Sequence, residues 1–322
     1  IRTWAFYTIA KAHLHESTIP WKHVVISGWI LDPDRKKMSK SRGNVVTPTH
    51  LLEEYGADGV RYWAAGARLG MDTAFDPGVL KVGKRLVTKL FNAGKFVLSQ
   101  EGERHPITCE LDRAFVRALG KLVEDANAAF DEFEYAKALM ATEQFFWASF
   151  TDTYLELTKA RARGDIGTPE ERGSAIGALR LGLNVLLRLF APVLPYITEE
   201  VWSWMFAKET GHPSIHAAPW PTLEELAAAA PAPDDEGSFA LAIDALTAIN
   251  KRKSDEGVSV GRVTEHLVLA AAEPTRARLA PVWSDVAGAA RCQEHRLEAK
   301  DGLDEGAFEV LEARFAPKAP KP

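Results

Sequence analysis

The stretch of the chain with the most chemistry in it is Asp34-Arg35-Lys36-Lys37-Met38-Ser39-Lys40-Ser41-Arg42-Gly43-Asn44. Most of its side chains are cationic or hydroxylic donors, gathered around one apolar methionine. Lysines are compact point charges, serine hydroxyls donate hydrogen bonds, and backbone N–H groups in a tight turn can line an anion site. Gly43 and Asn44 tolerate positive φ and let the run fold back on itself. Such a loop suits the handling of a polyphosphate. Composition alone leaves a solvated basic loop or a localisation-type cluster equally open.

The elements around the loop narrow this. Val24–Leu31 is short, β-branched and aromatic, and Asp32-Pro33-Asp34 ends it, which predicts a buried strand followed by a turn. Residues 1–15 alternate at helical spacing (Trp4, Ile9, Ala12) until Pro20. Helix, crossover, strand and loop are the pattern of a parallel α/β sheet, whose ligands sit at the carboxyl ends of its strands. After the loop, Thr47-Pro48 reads as an N-cap and first-turn proline, Gly56 ends a short helix, and Ala57–Ala67 forms a second.

From Val79 the pattern becomes one of long amphipathic helices. Leu80, Leu86, Leu90, Phe91 and Val97 share a face, and Lys81, Lys84, Arg85, Lys89 and Lys95 occupy much of the rest. Further helices are predicted at about 111–131, 134–163 and 172–206, the last bent by Pro192 and Pro195, and together they make an α-helical bundle. Ala227–Pro233 reads as an alanine/proline linker, followed by a helix over 238–253. Strands at Val263–Ala271, Cys292–Lys300 and Phe308–Phe315 around a helix at 276–290 give a small α+β unit, and Pro317–Pro322 reads as a frayed end.

With 322 residues, 46% of them hydrophobic and 26% charged, the chain is an ordinary globular one of two or three domains. No run of apolar residues approaches the ~20 that a membrane span needs. The two cysteines, Cys109 and Cys292, lie far apart with no Cys/His cluster, which argues against a zinc site and for a reducing compartment. The net charge of −5 hides an asymmetry: residues 1–100 carry 15 Lys+Arg against 8 Asp+Glu, and the remainder is acidic. A basic first third suggests a local phosphate-binding face. The chain opens at Ile1 in mid-pattern, as a piece with an upstream part elsewhere would.

Lys37-Met38-Ser39-Lys40-Ser41 matches in full the KMSKS signature of class I aminoacyl-tRNA synthetases, and Gly43-Asn44 continues it. Gly28-Trp29-Ile30-Leu31-Asp32 before the loop and Tyr55-Gly56-Ala57-Asp58-Gly59-Val60-Arg61-Tyr62-Trp63 after it resemble the same family. Leu187–Trp202 resembles the helical anticodon-binding domain of its valine/isoleucine/leucine/methionine subgroup. Asp72–Asp76, Leu80–Leu86 and Ile1–Trp4 look most like the valyl branch, with the isoleucyl branch next.

The resemblance implies a mixed fold in three parts. Residues 1–78 would end a Rossmann-like α/β catalytic domain carrying the KMSKS loop. Residues 79–226 would be the α-helical anticodon-binding domain, and 227–322 a linker and small α+β unit. It implies ATP-dependent activation of valine and transfer to tRNA(Val), with ATP as substrate, Mg2+ accompanying it, tRNA and valine as partners, and a monomer in the cytoplasm. Lys40 would contact the leaving phosphates and Lys37 support it. Met38 would latch the loop or simply fill core, and Ser39 and Ser41 would hold loop and phosphates. The backbone of Gly28, Trp29 and Ile30 would hold adenine, although Gly28 equally suits a pivot or steric relief. Asn44 would shape the loop, and Arg61 resembles an arginine that the family carries after the loop, although an arginine on a helix is more often a salt-bridge partner.

Lys81, Lys84, Arg85 and Lys89 form the best electrostatic face for tRNA. Phe145, Phe146, Trp147, Trp202 and Trp204 read as core, and His13, His15, His23 and His50 as surface. Neither the family's HIGH-type signature nor an editing domain is present, so the chain by itself is not expected to activate an amino acid. Residues 255–322 also depart from the coiled-coil arm of many valyl enzymes. A tRNA-binding module without catalysis is the rival reading, and the intact Lys37/Lys40 pair argues against it.

Overall fold

Asp76 and Thr168 each stand before a proline, and each starts a long helix. Asp76 accepts the N–H of Gly78 while Pro77 sits in the first turn of α3 (Pro77–Leu98). Thr168 and Glu171 close a capping box ahead of α7 (Pro169–Phe190). With α4 (Glu110–Asp131) these helices are the frame of the bundle. The computed structural model describes residues 1–102 and 105–317.

Before the frame come α1 (Arg2–Glu16), β1 (Ile30–Leu31), α2 (Thr49–Ala65) and β2 (Thr73–Ala74). The predicted strand Val24–Leu31 shrinks to the two residues of β1, which pair in parallel with β2. Val24, Val25 and Ile26 are exposed instead of buried. Their β-branched side chains favour extended backbone, but among the described residues no second strand lies beside them to fix it. Helix α1 likewise forms with no buried residue, and Trp4 stacks on Trp21 rather than on a core. Pro48, not Thr47, stands at the cap of α2, and Gly56 breaks that helix at φ 73°, so two helices meet there.

In the bundle, α5 (Tyr135–Gln144), a π-helical stretch (Phe145–Tyr154) and α6 (Leu155–Arg163) run on as one rod. The rod covers the predicted helix 134–163 but is widened in its middle, where Thr153 Oγ1 donates to the carbonyl of Ala148, 2.6 Å away. The predicted helix 172–206 divides into α7, α8 (Pro195–Ser203) and the start of α9 (Phe206–Thr210). Pro192 and Pro195 have no N–H to continue it. By length and composition α7 could cross a membrane, yet 78% of its apolar window is buried inside the bundle.

Ala227–Pro233 is not a free tether. Its first three residues end α10 (Leu223–Ala229), Leu226 and Ala230 are buried, and Arg113 of α4 grips the Ala232 carbonyl and Asp234. Alanine-rich composition looks like a linker, but small side chains also allow close packing, and here they pack.

Beyond α11 (Ser238–Asp255), β3 (Thr264–Ala271) is the centre of a three-stranded sheet. It pairs in parallel with β4 (Cys292–Ala299) and antiparallel with β5 (Phe308–Phe315). The crossover from β3 to β4 holds α12 (Glu273–Leu279) and α13 (Trp283–Ala289), split by a 3-10 turn at Pro281 where one helix was predicted. The fully buried Lys253 of α11 donates to the carbonyls of Val260, Arg262 and Ala290 and so ties helix, loop and crossover together.

Sheet and bundle share one hydrophobic core, from Leu86 to Ala290. A buried polar knot also joins them. Arg161 of α6 donates to both oxygens of Asp112 in α4 (2.7 and 2.8 Å) and to Asp285 in α13 (2.8 and 3.1 Å). Tyr154 and Ser174 donate to the same Asp112. Burial raises the Asp285 carboxyl to about 6, against the pull of Arg161. The frayed end predicted at Pro317–Pro322 lies, beyond Pro317, outside the described residues.

Candidate active site

The basic loop leaves β1 at Asp32, and this carboxylate organises the residues after it. One Asp32 oxygen accepts the N–H of Lys36 (2.7 Å) and the other accepts Asn44 Nδ2 (2.7 Å). Asn44 also donates to the Lys37 carbonyl (3.2 Å) and accepts the N–H of Ser39 (3.0 Å). Asn44 therefore closes the loop from inside, as a loop-shaping residue should. Its amide, followed by the Lys36 N–H, holds the Asp32 carboxyl below the usual range. Lys40–Arg42 then make a short 3-10 turn ended by Gly43 at φ 65°.

Within this frame the predicted site residues come together. Lys37 Nζ lies 4.1 Å from the centre of the exposed Trp29 ring, a cation–π contact that holds the lysine at the strand end. Ser39 and Ser41 hydroxyls face each other at 3.3 Å. Lys40 is exposed at the start of the 3-10 turn, and among the described residues no ion pair or hydrogen bond occupies its ammonium. Met38 rests on a small core of its own, Leu51, Tyr55, Phe75 and Leu80. It can be both latch and filling, because the core it fills anchors the loop.

Gly28, Trp29 and Ile30 border a cavity of about 150 Å³ that Trp63, Met71 and Tyr135 also line. A Cβ on Gly28 would stand 1.9 Å from the Met71 carbonyl oxygen, so this glycine is required by backbone approach within the chain. Trp29 donates its N–H to Asp72 (2.8 Å), and its carbonyl accepts the Thr73 N–H (2.9 Å). The Leu31 carbonyl accepts the Phe75 N–H in the same direction, so strand alternation turns the Ile30 carbonyl to the opposite edge.

The proposed tRNA face is less uniform than its spacing suggests. Lys84 donates to the Glu54 carbonyl (2.7 Å), and Lys89 pairs with Asp152 (3.1 Å) and covers the Trp147 ring. Lys81 and Arg85 remain exposed on the same helix. Among the described residues Arg61 finds no carboxylate. Its guanidinium donates to the carbonyls of Val193 (3.0 Å) and Pro192 (2.8 Å). Of the aromatic residues assigned to core, Phe146 and Trp202 are fully buried and Phe145 and Trp147 pack against the core, but Trp204 is partly exposed, edge-on to Phe91. His13, His15, His23 and His50 are on the surface.

Sequence reasoning singled out none of Asp32, Asp58 and Asp72 for these contacts. The Asp58 carboxylate accepts the N–H groups of Tyr196 (3.2 Å) and Ile197 (2.8 Å) in the first turn of α8. No local signal marks it, because its partners lie 138 and 139 residues away.

Known proteins place the chain. The description "tRNA synthetases class I (I, L, M and V)" matches residues 1–76, and "Anticodon-binding domain of tRNA ligase" matches residues 112–268. The chain belongs to the class I aminoacyl-tRNA synthetases. It is 46% identical over 311 residues to the valine--tRNA ligase of Thermobifida fusca, covering 94% of this chain and 34% of that protein. It is 42% identical over 344 residues to that of Bifidobacterium longum subsp. infantis (99% and 37%), and 47% identical over 280 residues to that of Wolbachia pipientis wMel (84% and 31%). The chain thus spans about a third of the length of these relatives. A solved structure of a LeuRS–tRNA–LeuAMS ternary complex from Agrobacterium radiobacter K84 aligns at a TM-score of 0.49 and 24% identity, over 69% of this chain and 27% of that one.

Proposed function

We propose that this chain is the loop-bearing and tRNA-binding part of a valine--tRNA ligase, which activates valine with ATP and transfers it to tRNA(Val). The observation that carries the reading is the loop itself: Asp32 and Asn44 close it, Trp29 holds Lys37, and among the described residues Lys40 has no internal partner. Among the described residues no ion pair holds Lys37 or Lys40, so both can meet a ligand with none to break, whereas Lys36 pairs with Asp34 at 3.9 Å. The 42–47% identity to valine--tRNA ligases over most of the chain supports the choice of amino acid.

In the first step the valine carboxylate attacks the α-phosphate of ATP, an acyl-phosphate bond forms, and the bond to pyrophosphate breaks. Charge grows on the leaving group, where fixed cations are worth most. Lys40 meets that charge, Lys37 supports it from its seat on Trp29, and the Ser39 and Ser41 hydroxyls hold loop and phosphates. Adenine lies along the Gly28–Ile30 backbone, with the Ile30 carbonyl on the open edge. Mg2+ comes with ATP and is held by phosphate oxygens. Among the described residues no three His, Cys, Asp or Glu side chains are grouped to take it. In the second step the valyl group passes to the 3′-terminal adenosine.

In this reading residues 1–78 end a Rossmann-like catalytic domain, 79–226 bind tRNA through a face including Lys81, Lys84, Arg85 and Lys89, and 227–322 are the linker and small α+β unit. The enzyme works as a monomer in the cytoplasm. Valine-dependent ATP–pyrophosphate exchange by the intact gene product, with isoleucine in parallel, tests the assignment. Lys40→Ala should slow exchange by ~10²–10³, the effect of losing one well-placed donor, with little change in amino-acid binding. Equal exchange by variant and parent would remove Lys40 from the mechanism, and activation of isoleucine alone would overturn the amino acid.

A further inference from the structure

The two halves of α2 face different parts of the molecule. Leu51 and Tyr55, before the break at Gly56, belong to the small core on which Met38 sits. Asp58, Arg61 and Tyr62, after the break, all reach into the bundle. The buried Asp58 caps the first turn of α8, where exposed N–H groups and the helix dipole favour a negative charge. Arg61 holds the carbonyls of Pro192 and Val193 in the turn just before α8. Tyr62 donates to Glu143 of α5 at 2.6 Å, and Gly83 of α3 leaves no room for a Cβ against the Tyr62 ring. One helical segment therefore links the loop's core to the bundle through charged hydrogen bonds at fixed angles.

We propose that Asp58 and Arg61 are positioning residues that set the angle between the phosphate-binding loop and the helical bundle, and thereby the register of a bundle-bound tRNA with the aminoacyl-adenylate. The inference rests on the ligase reading above. Adenylate formation uses groups on the loop's side of the joint and does not sense this angle. Transfer does, because a tRNA held by the bundle must bring its 3′ end to the loop's side. Rotation by a few degrees at a joint is multiplied along a long ligand, and ~1 Å of misplacement at a reacting centre is enough to cost ~10²-fold in rate. Neither residue touches the reacting atoms. Both act through the Pro192–Ile197 turn.

The test is made in the intact gene product with Asp58→Ala and Arg61→Met, and with Asp58→Asn and Arg61→Lys as conservative partners that keep one acceptor or one donor. Valine-dependent exchange without tRNA, charging of tRNA, and the melting temperature are measured for each. The expected result is a fall of about tenfold or more in charging kcat, with exchange kcat and the KM for ATP within about twofold of the parent and the conservative variants intermediate. A parallel fall in exchange and charging, tracking the melting temperature, would make the ties merely structural and overturn the proposal. So would unchanged charging. Should Arg61→Met fail to fold, Arg61→Lys decides by the same comparison. The parent's exchange activity and its loss in Lys40→Ala test the underlying ligase reading separately.

Discussion

Replacing Arg161 by methionine removes a cation from between two buried carboxylates. Arg161 makes four hydrogen bonds to Asp112 and Asp285 and a fifth to the Glu171 carbonyl, and all three charged side chains are at most 5% exposed. Breaking a buried ion pair by deleting one partner costs about 3–5 kcal/mol. Two carboxylates are stranded here, while Asp112 keeps Tyr154 and Ser174 as donors. The expected loss at pH 8 is therefore near the upper end of that range, a large part of the ~5–15 kcal/mol typical of a folded domain. The pH dependence has a definite sign. The Asp285 carboxyl is raised to about 6 in the folded protein from 3.8. Its favourable contribution is complete below the unfolded value and is lost as pH rises through 6. Without Arg161 the carboxyl rises further, so the loss extends past neutrality and the gap between variant and parent widens from pH 5.5 to pH 8. Urea unfolding at those two pH values measures the gap. A loss under about 1 kcal/mol, or a gap that narrows toward pH 8, would refute the view that Arg161 holds two ionised carboxylates.

The geometry around the loop and on α3 sets two further outcomes. Gly28→Ala should cost ~1–3 kcal/mol, the usual penalty for an atom forced into a filled site, and should speed amide exchange at Thr73 and Phe75, whose N–H groups bond the displaced strand; unchanged protection there would contradict the close approach. For tRNA, Lys81→Glu with Arg85→Glu should reduce the salt dependence of binding by ~0.7–0.9 in log–log slope for each phosphate no longer neutralised, and an unchanged slope would exclude these cations. Lys84→Glu is a poorer probe, because it also cuts the tie to Glu54.

What could be read from the chain was what is local. The signals at Asp76-Pro77 and Thr168-Pro169 are of that local kind, with partners within three residues, although periodicity alone had started those helices at Val79 and 172. The basic loop was legible because its donors, its glycine and its asparagine are neighbours. Asp58, by contrast, caps a helix far along the chain, and Arg161 joins residues 49 and 124 positions away. A charge buried in such a knot inverts the rule that polar side chains face water, so periodicity places it on the wrong side. Val24–Ile26 shows the opposite limit. Local preference there favours a strand, but a strand also needs a partner. Trp204 was assigned to core on its apolar surroundings, yet its ring edge meets Phe91 at the surface.

The two hydrophobic cores differ greatly in size, and this bears on how the molecule comes apart. The small one beneath the loop has four buried members, whereas the large one is continuous from α3 to the crossover of the sheet. Local opening draws on the least buried parts first. The loop and its seat can therefore loosen as a unit while bundle and sheet, welded by a shared interior, stay folded. On the proposed function, this gives the phosphate-binding loop the low-stability end of the molecule and the bundle the high-stability end. Substitutions that tune the loop's motion then leave the rigidity of the bundle unchanged.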